Sequence, residues 1–92
     1  MDRLNEIKDI VIKFLESLKD YSSEEHDLMN VINKLEVLVI ETLMNYGEGD
    51  VEYSVLKNFM AIIEDVKNGN LNVEVDYIYI GERFEKGLKL LI

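Results

Sequence analysis

A chain of 92 residues, 48% apolar and 32% charged, with no cysteine, describes one small folded domain spanning residues 1–92, held by packing rather than by disulfides. Its formal net charge of −9, from 19 acidic against 10 basic residues, and the lack of a Lys and Arg stripe on any helical face argue against direct binding to a nucleic-acid backbone, which depends on basic side chains displacing counterions. No apolar run reaches the ~20 residues of a membrane span, and the amino-terminal MDRLNEIKD carries acids where a secretion signal carries bases, so a cytoplasmic protein without membrane contact is expected.

The first element predicted is a helix from Asp2 to Tyr21. Leu4, Ile7, Ile10, Val11, Phe14, Leu15, Leu18 and Tyr21 recur every three or four residues, with Lys8, Lys13, Glu16 and Lys19 between them, which makes one apolar face. Ser22 and Glu25 then match a capping box: the hydroxyl accepts from a first-turn amide and the carboxylate reaches back. Glu24, Glu25 and Asp27 also suit the positive end of a helix dipole at the start of a second helix.

This second helix is predicted to run to about Tyr46, before Gly47 and Gly49. Its middle, Leu35 to Met44, is apolar almost all round, so it is either the central helix of the bundle or presents one side to another chain. Asp50 is the natural cap of a third helix whose buried face reads Val55, Leu56, Phe59, Met60, Ile62, Ile63 and Val66. Asn68-Gly69 should end it.

Leu71 to Ile80, LNVEVDYIYI, is ambiguous. With period two, Leu71, Val73, Val75, Tyr77 and Tyr79 share a face and the composition is that of a strand. With helical spacing, Val73, Tyr77, Ile80, Phe84, Leu88 and Leu91 line up to complete a fourth helix, despite Gly81 and Gly87, each costing about 1 kcal/mol in a helix interior. A lone strand would leave its backbone groups unpaired in its own chain, and so would imply a second copy or another protein's sheet edge as partner. The fold expected is therefore all-α, a small four-helix bundle, with residues 71–80 open between strand and helix.

Chemistry is hard to find. His26 is the only histidine, and without cysteine the chain cannot assemble a zinc site of the usual ligands or the Glu-x-x-His pair of a di-iron bundle; flanked by Glu25 and Asp27, it reads as a solvated surface residue. Glu48, Asp50 and Glu52 surround a glycine turn but lack the spacing of a calcium loop. Ser17, Ser22, Ser23, Thr42 and Ser54 lie in no nucleophile elbow, and no glycine-rich phosphate loop is present. Neither a catalytic residue nor a cofactor or metal is expected.

Surface remains. Tyr77, Ile78, Tyr79, Ile80, Phe84 and Leu88 concentrate aromatic and aliphatic side chains at the start of the last element, a composition common both to interface anchors and to ordinary core. Arg83, Lys86 and Lys89 make this the one locally basic stretch, suited to an acidic patch on a partner or to the negative end of a helix dipole. The first functional expectation is a non-enzymatic subunit that docks another protein through residues 77–91 and the over-apolar second helix; a homodimer is also compatible. Its rival is an acidic mimic of nucleic acid that occupies a basic cleft with Glu24, Glu25, Asp27, Glu48, Asp50, Glu52, Glu64 and Asp65, and the third is a small acid-base or metal enzyme.

Across its length, and most noticeably in DRLNEIKDIVIKFLESL and DYIYIGERFEKGLKLLI, the chain resembles the small helical subunit bound to the replicative B-family DNA polymerase of crenarchaea. The resemblance implies an archaeal protein of DNA replication whose partner is a polymerase catalytic subunit, with the small protein tuning its stability or activity. It carries over no functional residue. The lack of cysteine, tryptophan, proline and glutamine leans toward a thermophile, whereas eight asparagines lean away.

Overall fold

The computed structural model describes residues 3–19, 28–73 and 75–91. Four helices make up the described part: α1 (Arg3–Lys19), α2 (Leu28–Leu43), α3 (Val51–Lys67) and α4 (Tyr77–Leu91). The Ser22–Glu25 capping box, His26 and Tyr21 lie outside the described residues.

Each helix packs on two neighbours, α1 on α2, α2 on α3, α3 on α4 and α4 on α1, while the diagonal pairs α1–α3 and α2–α4 do not meet. Register shows that α2 and α3, and likewise α3 and α4, run in opposite directions. Met29, in the first turn of α2, shares a groove with Val66, in the last turn of α3. Across α3 and α4, Phe59 meets Phe84 with ring centroids 5.1 Å apart, and Val55, four residues earlier, lies against Gly87, three residues later.

The predicted periodicity is what fills the centre. Leu4, Ile7, Val11 and Phe14 of α1, Ile32, Leu35, Leu38 and Val39 of α2, Val55, Leu56, Phe59, Ile62, Ile63 and Val66 of α3, and Ile80, Phe84 and Leu88 of α4 are all buried. At ~25 cal/mol per Å² of apolar surface removed from water, burying each such side chain is worth roughly 1.5–3 kcal/mol. Phe84 ties three helices together, meeting Phe14 edge to face at 5.4 Å and an interplanar angle of 68° while it packs on Phe59. Aromatic pairs in this arrangement add to area burial, because ring edges carry positive and ring faces negative partial charge.

Element boundaries follow local hydrogen bonding, and two differ from the sequence expectation. The second helix ends at Leu43 rather than near Tyr46: Asn45 N–H donates to the Thr42 carbonyl (2.9 Å) and Tyr46 N–H to that of Leu43 (3.2 Å), so the tighter i to i+3 pattern takes over before either glycine. Asp50 stands at the N-cap of α3 in extended conformation but makes no side-chain cap bond. Its carboxylate instead accepts from Gly47 N–H at 2.9 Å, closing the turn that precedes the helix.

The end of α3 follows the sequence expectation. Gly69 takes a φ of +84°, Asn70 N–H reaches the Asp65 carbonyl at 2.8 Å and Gly69 N–H that of Val66 at 3.2 Å. This is the paired bonding of a Schellman stop, which favours glycine because a Cβ is disfavoured at positive φ.

Leu71 to Ile80 divides in two. The described residues contain no strand, so the strand alternative is overturned, and α4 starts at Tyr77 rather than continuing the stripe back to Val73. The physical reason is a self-contained loop. Val75 and Asp76 N–H both donate to the Asn72 carbonyl, at 3.1 and 2.7 Å, and Asn72 N–H donates back to the Asp76 carboxylate at 2.9 Å. Those backbone groups are satisfied within five residues and need no sheet. The Asp76 carbonyl then accepts the first helical bond, from Ile80 N–H at 2.9 Å.

Candidate docking surfaces

The six side chains expected to form an interface fall on two sides of α4. Ile80, Phe84 and Leu88 lie in the core, where no partner reaches them. This corrects their expected place in an interface: residues 80, 84 and 88 share the stripe that faces α1 and α3, and the volume of that stripe is already filled. Tyr77, one turn before Ile80, is half-buried and packs on the core edge.

Ile78 and Tyr79 are different. Ile78 is 63% and Tyr79 48% exposed, and Val75, in the preceding loop, is 74% exposed, so three large apolar side chains stand open around the start of α4. Arg83, one turn on, holds the tyrosine: Nη1 donates to Tyr79 Oη at 2.7 Å, and the guanidinium carbon stands 5.5 Å from the ring centroid. Cation–π contact and hydrogen bond together restrict the ring to few orientations, which lowers the entropy lost when a partner covers it. Beside this end of the bundle lies a shallow groove of about 360 Å³ lined by Met29, Val66, Gly69, Leu71, Asn72 and Val73.

A second open surface belongs to α2. Val37 and Ile40 of α2, and Met44 just past its end, are 55, 48 and 83% exposed, which locates the excess apolar character of the Leu35 to Met44 segment on the side away from the core. Since α2 and α4 are diagonal and do not touch, their outer faces point in different directions. Residues 77–91 and the second helix therefore offer two separate surfaces.

Charge is distributed unevenly. All ten basic residues fall within the four described helices together with ten of the nineteen acidic ones, so these helices carry no net charge. Of the acids weighed for nucleic-acid mimicry, Glu24, Glu25 and Asp27 lie outside the described residues. Glu48, Asp50 and Glu52 gather at the start of α3, and Glu64 and Asp65 near its end, about 18 Å away at 1.5 Å per residue.

Among the described residues no group of three or more His, Asp or Glu side chains gathers to hold a metal ion, and no helix is long and apolar enough to cross a membrane. Of the hydroxyls considered as nucleophiles, Ser54 is exposed. Thr42 is 1% exposed, and its Oγ1 has no hydrogen-bond partner. A hydroxyl buried this fully is out of reach of a substrate.

Comparison with protein-family models, with curated proteins and with solved structures finds no match.

Proposed function

We propose that the protein is a non-enzymatic accessory subunit that works in the cytoplasm by binding another protein through the start of α4. The observation that carries this reading is the open cluster of Val75, Ile78 and Tyr79, with the tyrosine held in place by Arg83. An exposed aliphatic side chain beside a restrained aromatic one is the kind of anchor that carries a large share of interface energy, and the neighbouring groove adds concave surface.

The partner proposed is the catalytic subunit of a replicative B-family DNA polymerase, whose stability or activity this chain would tune. That identification is supported by the resemblance of the amino-terminal and closing stretches. Arg83, Lys86 and Lys89 alternate with Glu82 and Glu85 on α4, so the same face suits a partner surface of mixed or acidic charge.

Calorimetric titration of the polymerase subunit with the purified chain tests the reading. Binding should fall at least tenfold in Ile78→Glu, because a desolvated carboxylate replaces an apolar anchor, with helix content unchanged. Wild-type affinity in that variant would remove the α4 surface from consideration. Affinity that collapses with added salt yet ignores Ile78→Glu would instead favour an acidic mimic seated in a basic cleft.

A further inference from the structure

Of the eight asparagines in the chain, only Asn68 is followed by glycine; the other seven precede residues with side chains. The distinction is chemical. Asparagine is a thermolabile residue type because the next backbone nitrogen can attack its side-chain carbonyl. A side chain on the following residue crowds that approach, whereas glycine, lacking a Cβ, leaves it open. Asn68 and Gly69 are both exposed, so water and hydroxide reach them.

Geometry opposes the same reaction. As the C-cap of α3, Asn68 has φ −85° and ψ −1°. At that ψ the Gly69 nitrogen eclipses the backbone nitrogen of Asn68 and stands about 120° of rotation from its Cβ, turned away from the side-chain carbonyl. Its proton is also held: Gly69 N–H donates to the Val66 carbonyl at 3.2 Å, and just beyond it Asn70 and Leu71 N–H donate to that of Asp65 at 2.8 and 3.1 Å. Attack therefore requires the end of α3 to open and the Asn68 ψ to turn.

We propose that Asn68 is a site of spontaneous deamidation whose rate is set by opening of the Schellman stop. In the open state the Gly69 nitrogen loses its proton to hydroxide and bonds to Asn68 Cγ. The side-chain nitrogen takes up a proton and leaves as ammonia, and a cyclic imide remains. Water then adds to either imide carbonyl and breaks its bond to the ring nitrogen, giving aspartate or isoaspartate; overall one water is consumed and one ammonia released. Both products place a carboxylate at the negative end of the α3 dipole, one turn from Glu64 and Asp65, where it is repelled. Isoaspartate also inserts a methylene into the backbone of the stop. Each event therefore weakens the end of α3, whatever α4 binds.

The full chain, incubated at mildly alkaline pH either folded in buffer or unfolded in concentrated guanidinium chloride, tests this by peptide mass mapping and isoaspartyl methyltransferase labelling. Unfolded, Asn68 should react about tenfold or more faster than Asn70 or Asn72, since only its neighbour lacks a Cβ. Folded, the reaction at position 68 should be about tenfold or more slower than in the unfolded chain, because it waits on local opening. Gly69→Ala separates chemistry from gating. Its methyl should slow the unfolded reaction. In the folded chain no atom lies within 4 Å of the added Cβ, so strain at φ +84° loosens the stop and the folded-to-unfolded gap should narrow severalfold. Asn68→Asp should lower the thermal midpoint by about 2–8 °C. Equal rates in the two solvents, a gap unchanged by Gly69→Ala, a folded chain that gains no carboxylate at position 68, or an Asn68→Asp chain as stable as the parent would each overturn the proposal.

Discussion

Replacing Gly87 with alanine would place a Cβ 2.5 Å from Phe59 Cε1, 3.0 Å from Phe59 Cζ and 3.2 Å from Val55 Cγ1. Neither neighbour yields easily. Phe59 is fully buried and packs on Phe84, which packs on Phe14, so any retreat of the Phe59 ring disturbs three helices. Two effects oppose each other. Alanine is better than glycine in a helix by about 1 kcal/mol, whereas overpacking a filled core costs about 1–3 kcal/mol. With a clash this short against a ring that has nowhere to move, the upper part of that range applies and the net loss is about 1–2 kcal/mol. At roughly 4–8 °C per kcal/mol for a domain of this size, the midpoint of thermal unfolding followed by circular dichroism should drop by about 4–16 °C. Gly49→Ala, where nothing lies within 4 Å of the new Cβ, provides the control. Phe59→Leu should make the Gly87→Ala change less damaging than it is alone, since the smaller side chain vacates the contested space. A Gly87→Ala protein as stable as the parent would refute the close approach of α3 and α4.

Four further substitutions probe other parts of the fold. Thr42→Val replaces a buried hydroxyl that has no hydrogen-bond partner with a methyl of similar volume and should raise stability by about 1 kcal/mol in urea titration; a loss would mean that the hydroxyl is satisfied. Phe84→Ala should cost about 3–5 kcal/mol and unfold much of the population, whereas Ile78→Ser on the same helix should stay within about 0.5 kcal/mol; equal effects in thermal melts would contradict the assignment of one residue to the core and the other to the surface. Gly69→Ala forces a side chain into φ +84° and should cost about 1–2 kcal/mol, so an unchanged melting temperature would count against the Schellman stop of α3.

The helices were legible because three- and four-residue spacing encodes which side faces the core, and the buried set of α3 is the predicted one apart from Met60, which is partly buried against it. Asn68-Gly69 was legible because only glycine is at ease at positive φ. Residues 71–76 were harder. The alternation of Leu71, Val73 and Val75 is a real strand pattern, but a strand also needs a neighbour, and local sequence does not report whether the fold supplies one. What decides the segment is polar, the exchange of hydrogen bonds between Asn72 and Asp76. Asp50 shows the same limit: its position as cap was readable, but the turn to Gly47 that captures its carboxylate was not. At the docking surface, the spacing that completes the bundle with Tyr77, Ile80, Phe84 and Leu88 also determines that Ile78 and Tyr79 are left outside.

A photoreactive phenylalanine analogue placed at residue 78 tests the central claim most directly, with the same analogue at exposed Asn58 on α3 for comparison. When the chain is mixed with the polymerase catalytic subunit and irradiated, the account predicts a covalent product from position 78 and none from position 58. A product from position 58 with none from position 78 would contradict docking through the start of α4.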